Sequence, residues 1–364
     1  MLKRTVGSCR ACASIDLVAM WSFSIMNFTP RHTPEYLFVR DSTVSACSKT
    51  ARAKMPPAAR FIVGLATLVA CAEALAPGST VAVVGASGNV GKLVALRLAD
   101  TYKVHGIVRS AAKVRPFFDG KMENIELFEA DLRSDDQSAL AAGLAGAAAV
   151  VVCTGTTAFP TKAWSTDGTS DVTVPVLKAA FENKLDVRET IASLDAAGFN
   201  TPKNVDDIGT RALLDAWGSA AGSARERFIM MSSIGVQRRD QMPFPVLNAC
   251  GVLDAKAAAE AALKADAKAG GYSYTVVRPG QLFGGPYDNN FYLGTLFELD
   301  KESPQDVQLQ AGDTLVGDTL RSTLAEVIAQ CLEANAAVDG DFSVVNVDGT
   351  PPELDVLRSR LQAV

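Results

Sequence analysis

The sequence predicts an α/β fold built on a doubly wound parallel sheet, and three observations lead there. A β-branched run, Thr80 to Val84, is followed at once by a glycine-rich turn and a helically periodic segment. Similar short apolar runs recur down the chain, separated by stretches of helical length, the alternation that builds a parallel sheet with helices on both faces. The 364 residues are 48% hydrophobic and 21% charged, enough apolar material to cover such a sheet.

The segment ahead of Thr80 reads as targeting sequence rather than fold. Met55-Pro-Pro-Ala-Ala-Arg60 has the character of a short positive n-region, and Phe61 to Cys71 is an apolar run of h-region length. That run is too short for a membrane span, which needs about 20 residues. Ala72-Glu73-Ala74 supplies an A-x-A cleavage signal, followed by Leu75-Ala76-Pro77. The junction resembles the bipartite plastid signals of algae with red-derived complex plastids, which implies a plastid destination, stroma or thylakoid surface. Plain secretion and a buried apolar helix in an ordinary extension are the alternatives. The predicted organisation is a leader over 1–54, translated or not, a targeting segment over 55–78, and one domain over 79–364 without a transmembrane span.

The first strand, Thr80 to Val84, runs into Gly85-Ala-Ser-Gly88-Asn-Val-Gly91, and the helix follows. Strand, glycine turn and helix in that order are the context of a dinucleotide-binding loop. Gly85 permits the tight turn, Gly88 lets a pyrophosphate approach the main chain, and Gly91 lets the helix pack closely. Free N–H groups at the helix start, over Ser87, Asn89 and Val90, then face the phosphates.

The second strand, Tyr102 to Arg109, ends in Arg109 with Ser110 and Lys113 behind it. An acidic residue there would bind the ribose 2′-hydroxyl of NAD. A guanidinium grips a 2′-phosphate instead, so the expected cofactor is NADP(H). Tenfold to hundredfold preference needs only about 1.4–2.8 kcal/mol. A solvated loop arginine is the bland reading. A third strand, Ile125 to Ala130, leads to Asp131 and Leu132 beside the adenine. A fourth, Ala148 to Cys153, ends in Thr154, Gly155 and Thr156 at the carboxyl edge where ligands bind in open α/β sheets.

Composition narrows the chemistry. The only histidines are His32 and His105, too few for a His-rich metal site, and His105 falls inside the second strand. No metal site is expected. Of 7 cysteines, Cys9, Cys12, Cys47 and Cys71 precede the domain, and Cys153, Cys250 and Cys331 are too scattered for a disulfide framework. The net charge of −5 and the lack of a basic block argue against nucleic acid as a partner.

Beyond the first unit, the chain resembles the atypical short-chain dehydrogenase/reductase superfamily, of the NAD-dependent epimerase and NmrA-like type. Val205-Asp-Asp-Ile-Gly209-Thr210 is similar to that family's V-N-x-x-G-T helix start, and Phe228 to Ser233 to a fifth strand ending in paired serines. Arg278-Pro279-Gly280, closing a sixth strand from Thr275, is similar to its R-P-G turn. Gly317 to Arg321 resembles its G-x-x-S-R helix start, and Phe342 to Asn346 is a last strand. Cys153 to Trp164 and Pro243 to Lys256 resemble a narrower plastid and cyanobacterial group, some of whose members serve photosystem assembly or plastid import. The resemblance covers about residues 79–350. It implies a sheet of about seven strands, a small C-terminal substrate lobe near 281–315, and a nicotinamide wall shaped by Pro279 and Gly280.

One departure bears on activity. Active members use Tyr-x-x-x-Lys, in which the phenol moves the proton at the carbonyl. Four residues before Lys256 stands Val252, and general acid catalysis is typically worth 10²–10⁴-fold. Lys256 then either binds the nicotinamide ribose hydroxyls or is an exposed helix lysine. Ser233 either meets a substrate or satisfies a strand end, and Tyr287 is a candidate substitute acid. Arg278 is read as an anchor for the loop after the sixth strand.

Between Trp164 and Asn204 lies an insertion, near 165–203, with one helix expected from Val174 to Leu194. It is a lid for the cleft, a partner surface or a tolerated surface addition. Two functions remain: an NADP(H)-binding plastid assembly, stability or redox-sensing factor with a plastid or thylakoid protein partner, and an NADPH-dependent oxidoreductase or isomerase acting on a small carbonyl, quinone or sugar nucleotide.

Overall fold

In the computed structural model the described residues are 74–120, 122–284 and 305–364. The leader, most of the targeting segment, His32, the four N-terminal cysteines and Tyr287 lie outside them.

The strands are β1 (Thr80–Val84), β2 (Lys103–Val108), β3 (Ile125–Glu129), β4 (Ala149–Val152), β5 (Arg227–Met231), β6 (Ser273–Pro279), β7 (Gln281–Phe283), β8 (Asp306–Ala311), β9 (Asp318–Leu320) and β10 (Gly340–Val347). The helices are α1 (Asn89–Leu98), α2 (Ala111–Phe118), α3 (Ser138–Leu144), α4 (Thr173–Glu182), α5 (Val187–Ala196), α6 (Gly209–Ala221), α7 (Phe244–Leu247), α8 (Val252–Gly270), α9 (Arg321–Glu333) and α10 (Leu354–Gln362).

Among the described residues the main sheet has 8 strands in the order β3-β2-β1-β4-β5-β6-β10-β8, parallel throughout except for β8, which runs antiparallel to β10. β1 explains why the centre forms. Val81 and Val83 face one core, with α1 and α9, while Ala82 and Val84 face the other, with α3, α6 and α8. A parallel strand covered on both faces needs apolar residues at every position, and β1 has them. Trp217 of α6 fills the second core, and its indole N–H donates to the Ala147 carbonyl at 2.9 Å. Leu75 is buried in the first core, where the Tyr102 hydroxyl donates to its carbonyl.

Two sequence expectations are corrected here. Within 281–315 the described parts belong to the sheets: Asp306–Ala311 is the edge strand of the main sheet, and Gln281–Phe283 pairs with Asp318–Leu320 in a small parallel sheet, while 285–304, where a lobe was expected, lie outside the described residues. The main sheet therefore has one strand more than the seven expected. The insertion holds two helices, not one, because Lys184 and Leu185 take left-handed backbone angles (φ 54° and 65°) that end α4 before Asp186 caps α5.

Candidate cofactor site

The chain leaves β1, moves outward through β2 and β3, and returns on the other side at β4. The carboxyl ends of β1 and β4 therefore diverge, and loops cannot close over both: this switch point opens a crevice. A cleft of about 240 Å³ lies there, lined by Gly85, Ser87, Gly88, Arg109, Asp131, Leu132, Thr154, Gly155 and Thr156 among others.

The glycine loop is shaped by its lack of side chains. Gly85 has φ +82°, and a Cβ on it would lie 2.9 Å from the Thr154 methyl. A Cβ on Gly91 would lie 2.1 Å from the Gly85 carbonyl oxygen, so α1 starts in contact with the turn itself. The Gly88 N–H folds back onto the Gly85 carbonyl at 2.9 Å. The N–H groups of Ser87, Asn89, Val90 and Gly91 have no acceptor among the described residues. A helix start with unsatisfied N–H groups and a positive dipole end is a fitting seat for a phosphate.

Arg109 follows β2 and is exposed, and its guanidinium makes no hydrogen bond or ion pair among the described residues. Asp131 keeps one carboxylate oxygen on the Arg133 N–H at 3.0 Å. Thr156 donates its hydroxyl to the Asn200 carbonyl at 3.0 Å, so it fastens the insertion rather than facing the cleft alone. Cys153 borders the cleft, and burial pushes its thiol up to about 12, which leaves it protonated and inert at neutral pH.

Lys256 is not the exposed helix lysine of the bland reading. It is buried, and its Nζ donates to Asp206 Oδ1 at 2.8 Å. Asp206 sits in a single π-helical stretch, Lys203–Ile208, just before α6. A Cβ on Gly155 would lie 3.4 Å from Asp206 Oδ1 and 3.5 Å from Lys256 Nζ, which places the pair directly beneath the cleft floor. Oδ2 of Asp206 is buried without a hydrogen bond.

The remaining sequence candidates stand elsewhere. Ser233 donates to the neighbouring Ile234 carbonyl at 3.0 Å and does not line the cleft. Its neighbour Ser232 donates to Glu260 at 2.6 Å. Gly280 lies against the main chain of Gly317, 2.0 Å from where its Cβ would be, and donates its N–H to Thr319, so with Pro279 it shapes a junction outside the cleft lining. Arg278 does more than anchor a loop: fully buried, it bridges Glu260 of α8 and Asp341 of β10. Val252 is packed with Val236, Phe244 and Leu253, one turn before Lys256.

Gly168, Arg133, Asn200 and Asn204, none of them a site candidate in the sequence, also line the cleft. Their signals are weak: an Asp-Gly turn for Gly168, and nothing for the others. Gly168 and Asn200 arrive because the insertion folds back over the cleft, where Asn204 donates to the Phe199 carbonyl at 2.9 Å and Arg133, on the loop after β3, to that of Gly198 at 2.8 Å.

A family profile described as NAD(P)H-binding matches residues 85–335, most of the chain. The chain belongs to this NAD(P)H-binding family. Several solved structures are similar to it. A Bacillus halodurans protein assigned as an NAD-dependent epimerase/dehydratase is 21% identical, with TM-score 0.50, covering 79% of this chain and 100% of its own. An oxidoreductase from Lactococcus lactis is 17% identical, with TM-score 0.49, covering 78% and 96%. An anaerobillin reductase from Escherichia coli O157:H7 is 17% identical, with TM-score 0.47, covering 75% and 100%. No curated protein matches the sequence. The fold is that of an α/β protein with a mostly parallel central sheet, as the NAD(P)H-binding family membership implies. Among the described residues, no helix is long and apolar enough to cross a membrane.

Proposed function

We propose that the protein binds NADP(H) in this cleft and acts in the plastid as an assembly, stability or redox-sensing factor with weak or no standard reductase activity. The observation that carries the cofactor reading is the set of free N–H groups at the start of α1, with an unpaired Arg109 guanidinium lining the same cleft. Gly85 to Gly91 would hold the pyrophosphate. Arg109 would grip the 2′-phosphate, and Asp131 and Leu132 would flank the adenine. A bound nicotinamide coenzyme supplies or accepts hydride.

Two observations support a role without ordinary turnover. Val252 carries no proton and is held in an apolar cluster, and Ser233 is already hydrogen-bonded locally. The inserted helices also present Val174, Leu177, Phe181, Leu185 and Val187 to solvent, each more than half exposed. That apolar stripe supports a protein partner in the plastid. The Ala74-Leu75 junction fits a cleavage point, since Leu75 is already part of the core.

The second reading, an NADPH-dependent oxidoreductase or isomerase acting on a small carbonyl, quinone or sugar nucleotide, is favoured by Lys256. Asp206 holds it beneath Gly155, within reach of a ligand seated on the cleft floor.

The test is to titrate the purified chain with NADPH and then assay a panel of carbonyls, quinones and sugar nucleotides. Tight binding without NADPH consumption supports the first reading, and steady consumption with any substrate replaces it with the second. For location, a reporter fused to residues 55–90 should enter the plastid, and a secreted reporter would refute the targeting assignment.

A further inference from the structure

The insertion does more than roof the cleft. Its first turn is a rigid knot built on Asp167. One oxygen of that carboxylate accepts from the N–H groups of Thr169 and Ser170 and from the Ser165 hydroxyl, at 2.8, 2.9 and 2.7 Å, and the other accepts from the Ser170 hydroxyl at 2.6 Å. Behind the knot, Trp164 is fully buried, its indole N–H donates to the Thr157 carbonyl at 3.0 Å, and Asn200 donates to its carbonyl at 2.7 Å. The tip of the turn is Gly168, with φ +71°, and it reaches across to the end of β2. A Cβ on Gly168 would lie 2.8 Å from Arg109 Nη2 and 3.6 Å from its Cζ and Nη1. The guanidinium therefore rests against the bare Cα of a turn fixed by the opposite side of the cleft.

We propose that Gly168 is a specificity-determining position: the Asp167 knot braces Arg109 in the orientation that receives a 2′-phosphate. This rests on the reading of Arg109 as the 2′-phosphate ligand. An exposed arginine loses side-chain freedom when it grips an anion. A wall that already restricts it lowers that cost, and it does so only for the coenzyme that carries the phosphate. A methyl group on Gly168 displaces the guanidinium and leaves the pyrophosphate loop untouched.

The experiment is calorimetric titration of wild type, Gly168→Ala, Arg109→Ala and the double variant with NADPH and NADH, each checked for folding by thermal melt. The expected result is that Gly168→Ala weakens NADPH roughly tenfold, leaves NADH unchanged, and adds nothing in the Arg109→Ala background, the signature of one shared interaction. Should Arg109→Ala weaken NADPH while Gly168→Ala does not, the brace is overturned and the Arg109 reading stands. Equal weakening of both coenzymes by Gly168→Ala also overturns it. Should Arg109→Ala change neither affinity, the underlying reading fails and the brace with it. If Gly168→Ala does not fold, Asp167→Ala, which loosens the knot without adding atoms, serves in its place: selective loss of NADPH supports the brace, and unchanged NADPH affinity overturns it.

Discussion

Gly91 shows what one missing methyl group does. With only 2.1 Å between its would-be Cβ and the Gly85 carbonyl oxygen, a side chain there must push α1 off the turn. Backbone cannot yield as a flexible side chain does, so Gly91→Ala should cost about 1–3 kcal/mol of stability and weaken coenzyme binding, read by urea denaturation and calorimetry. Unchanged stability would contradict the close contact. Arg109 tests the charge argument: Arg109→Asp should reverse the order of NADPH and NADH affinity, and unchanged affinities would remove the 2′-phosphate assignment. These residues were legible in the sequence because a glycine loop and the strand end after it are local patterns. The partnership of Asp206 with Lys256 was not, since 50 positions separate them and folding alone brings them together. Because the pair is buried, Asp206→Ala leaves an unmatched ammonium and should cost about 3–5 kcal/mol. A loss below 1 kcal/mol would mean that water reaches Lys256.

At the level of elements, the helices are clasped as well as packed. Arg97 of α1 reaches Glu326 at 2.7 Å and Glu333 at 2.8 Å, both on α9, and Thr101 also donates to Glu333 at 2.9 Å. Burial by itself would raise the Glu333 carboxyl, but the hydrogen bonds from Arg97 and Thr101 and the Arg97 charge outweigh it and hold the group below its ordinary value of 4.5. A depressed carboxylate favours the folded state above that value. As pH falls through and below it, the unfolded chain takes up the proton first and the stabilisation is lost. Arg97→Leu should therefore lower the urea midpoint at neutral pH and flatten its decline below about pH 4.5. An unaltered acid limb would show that the clasp does not couple to folding. The inserted helices make a different prediction. Phe181→Ser and Leu185→Ser alter exposed positions, so Tm and NADPH affinity should stay at wild-type values, while the co-migration with thylakoid complexes on native gels that the proposed plastid role predicts for the wild type should be lost. Persistent co-migration would move the partner surface elsewhere. The six parallel strands from Thr80 to Pro279 were readable because each is a short apolar run between turn signals. The edge strand Asp306–Ala311 was not, because exposed Gln308 and Gln310 around half-buried Leu309 lack the apolar run of a buried strand. Nor was the break between α4 and α5, where Lys184 and Leu185 carry no glycine to announce left-handed angles.

For the whole molecule, one topological fact places the function. A sheet that is wound outward from β1 and resumes at β4 must leave a crevice at its carboxyl edge. The glycine loop, the end of β2 and the end of β4 meet there, and the fold class predicted from the sequence already implies that meeting. What the sequence could not supply was the second wall, because an insertion has no fixed place until it is seen folded back over the cleft. On the proposed function, free main-chain N–H groups and the Arg109 guanidinium, unpaired among the described residues, make this cleft a seat for NADP(H). Calorimetry of the folded protein with NADPH and NADH tests it most directly. Saturable one-to-one binding, with NADPH at least tenfold tighter, is the predicted result. The absence of binding heat with either coenzyme would contradict it.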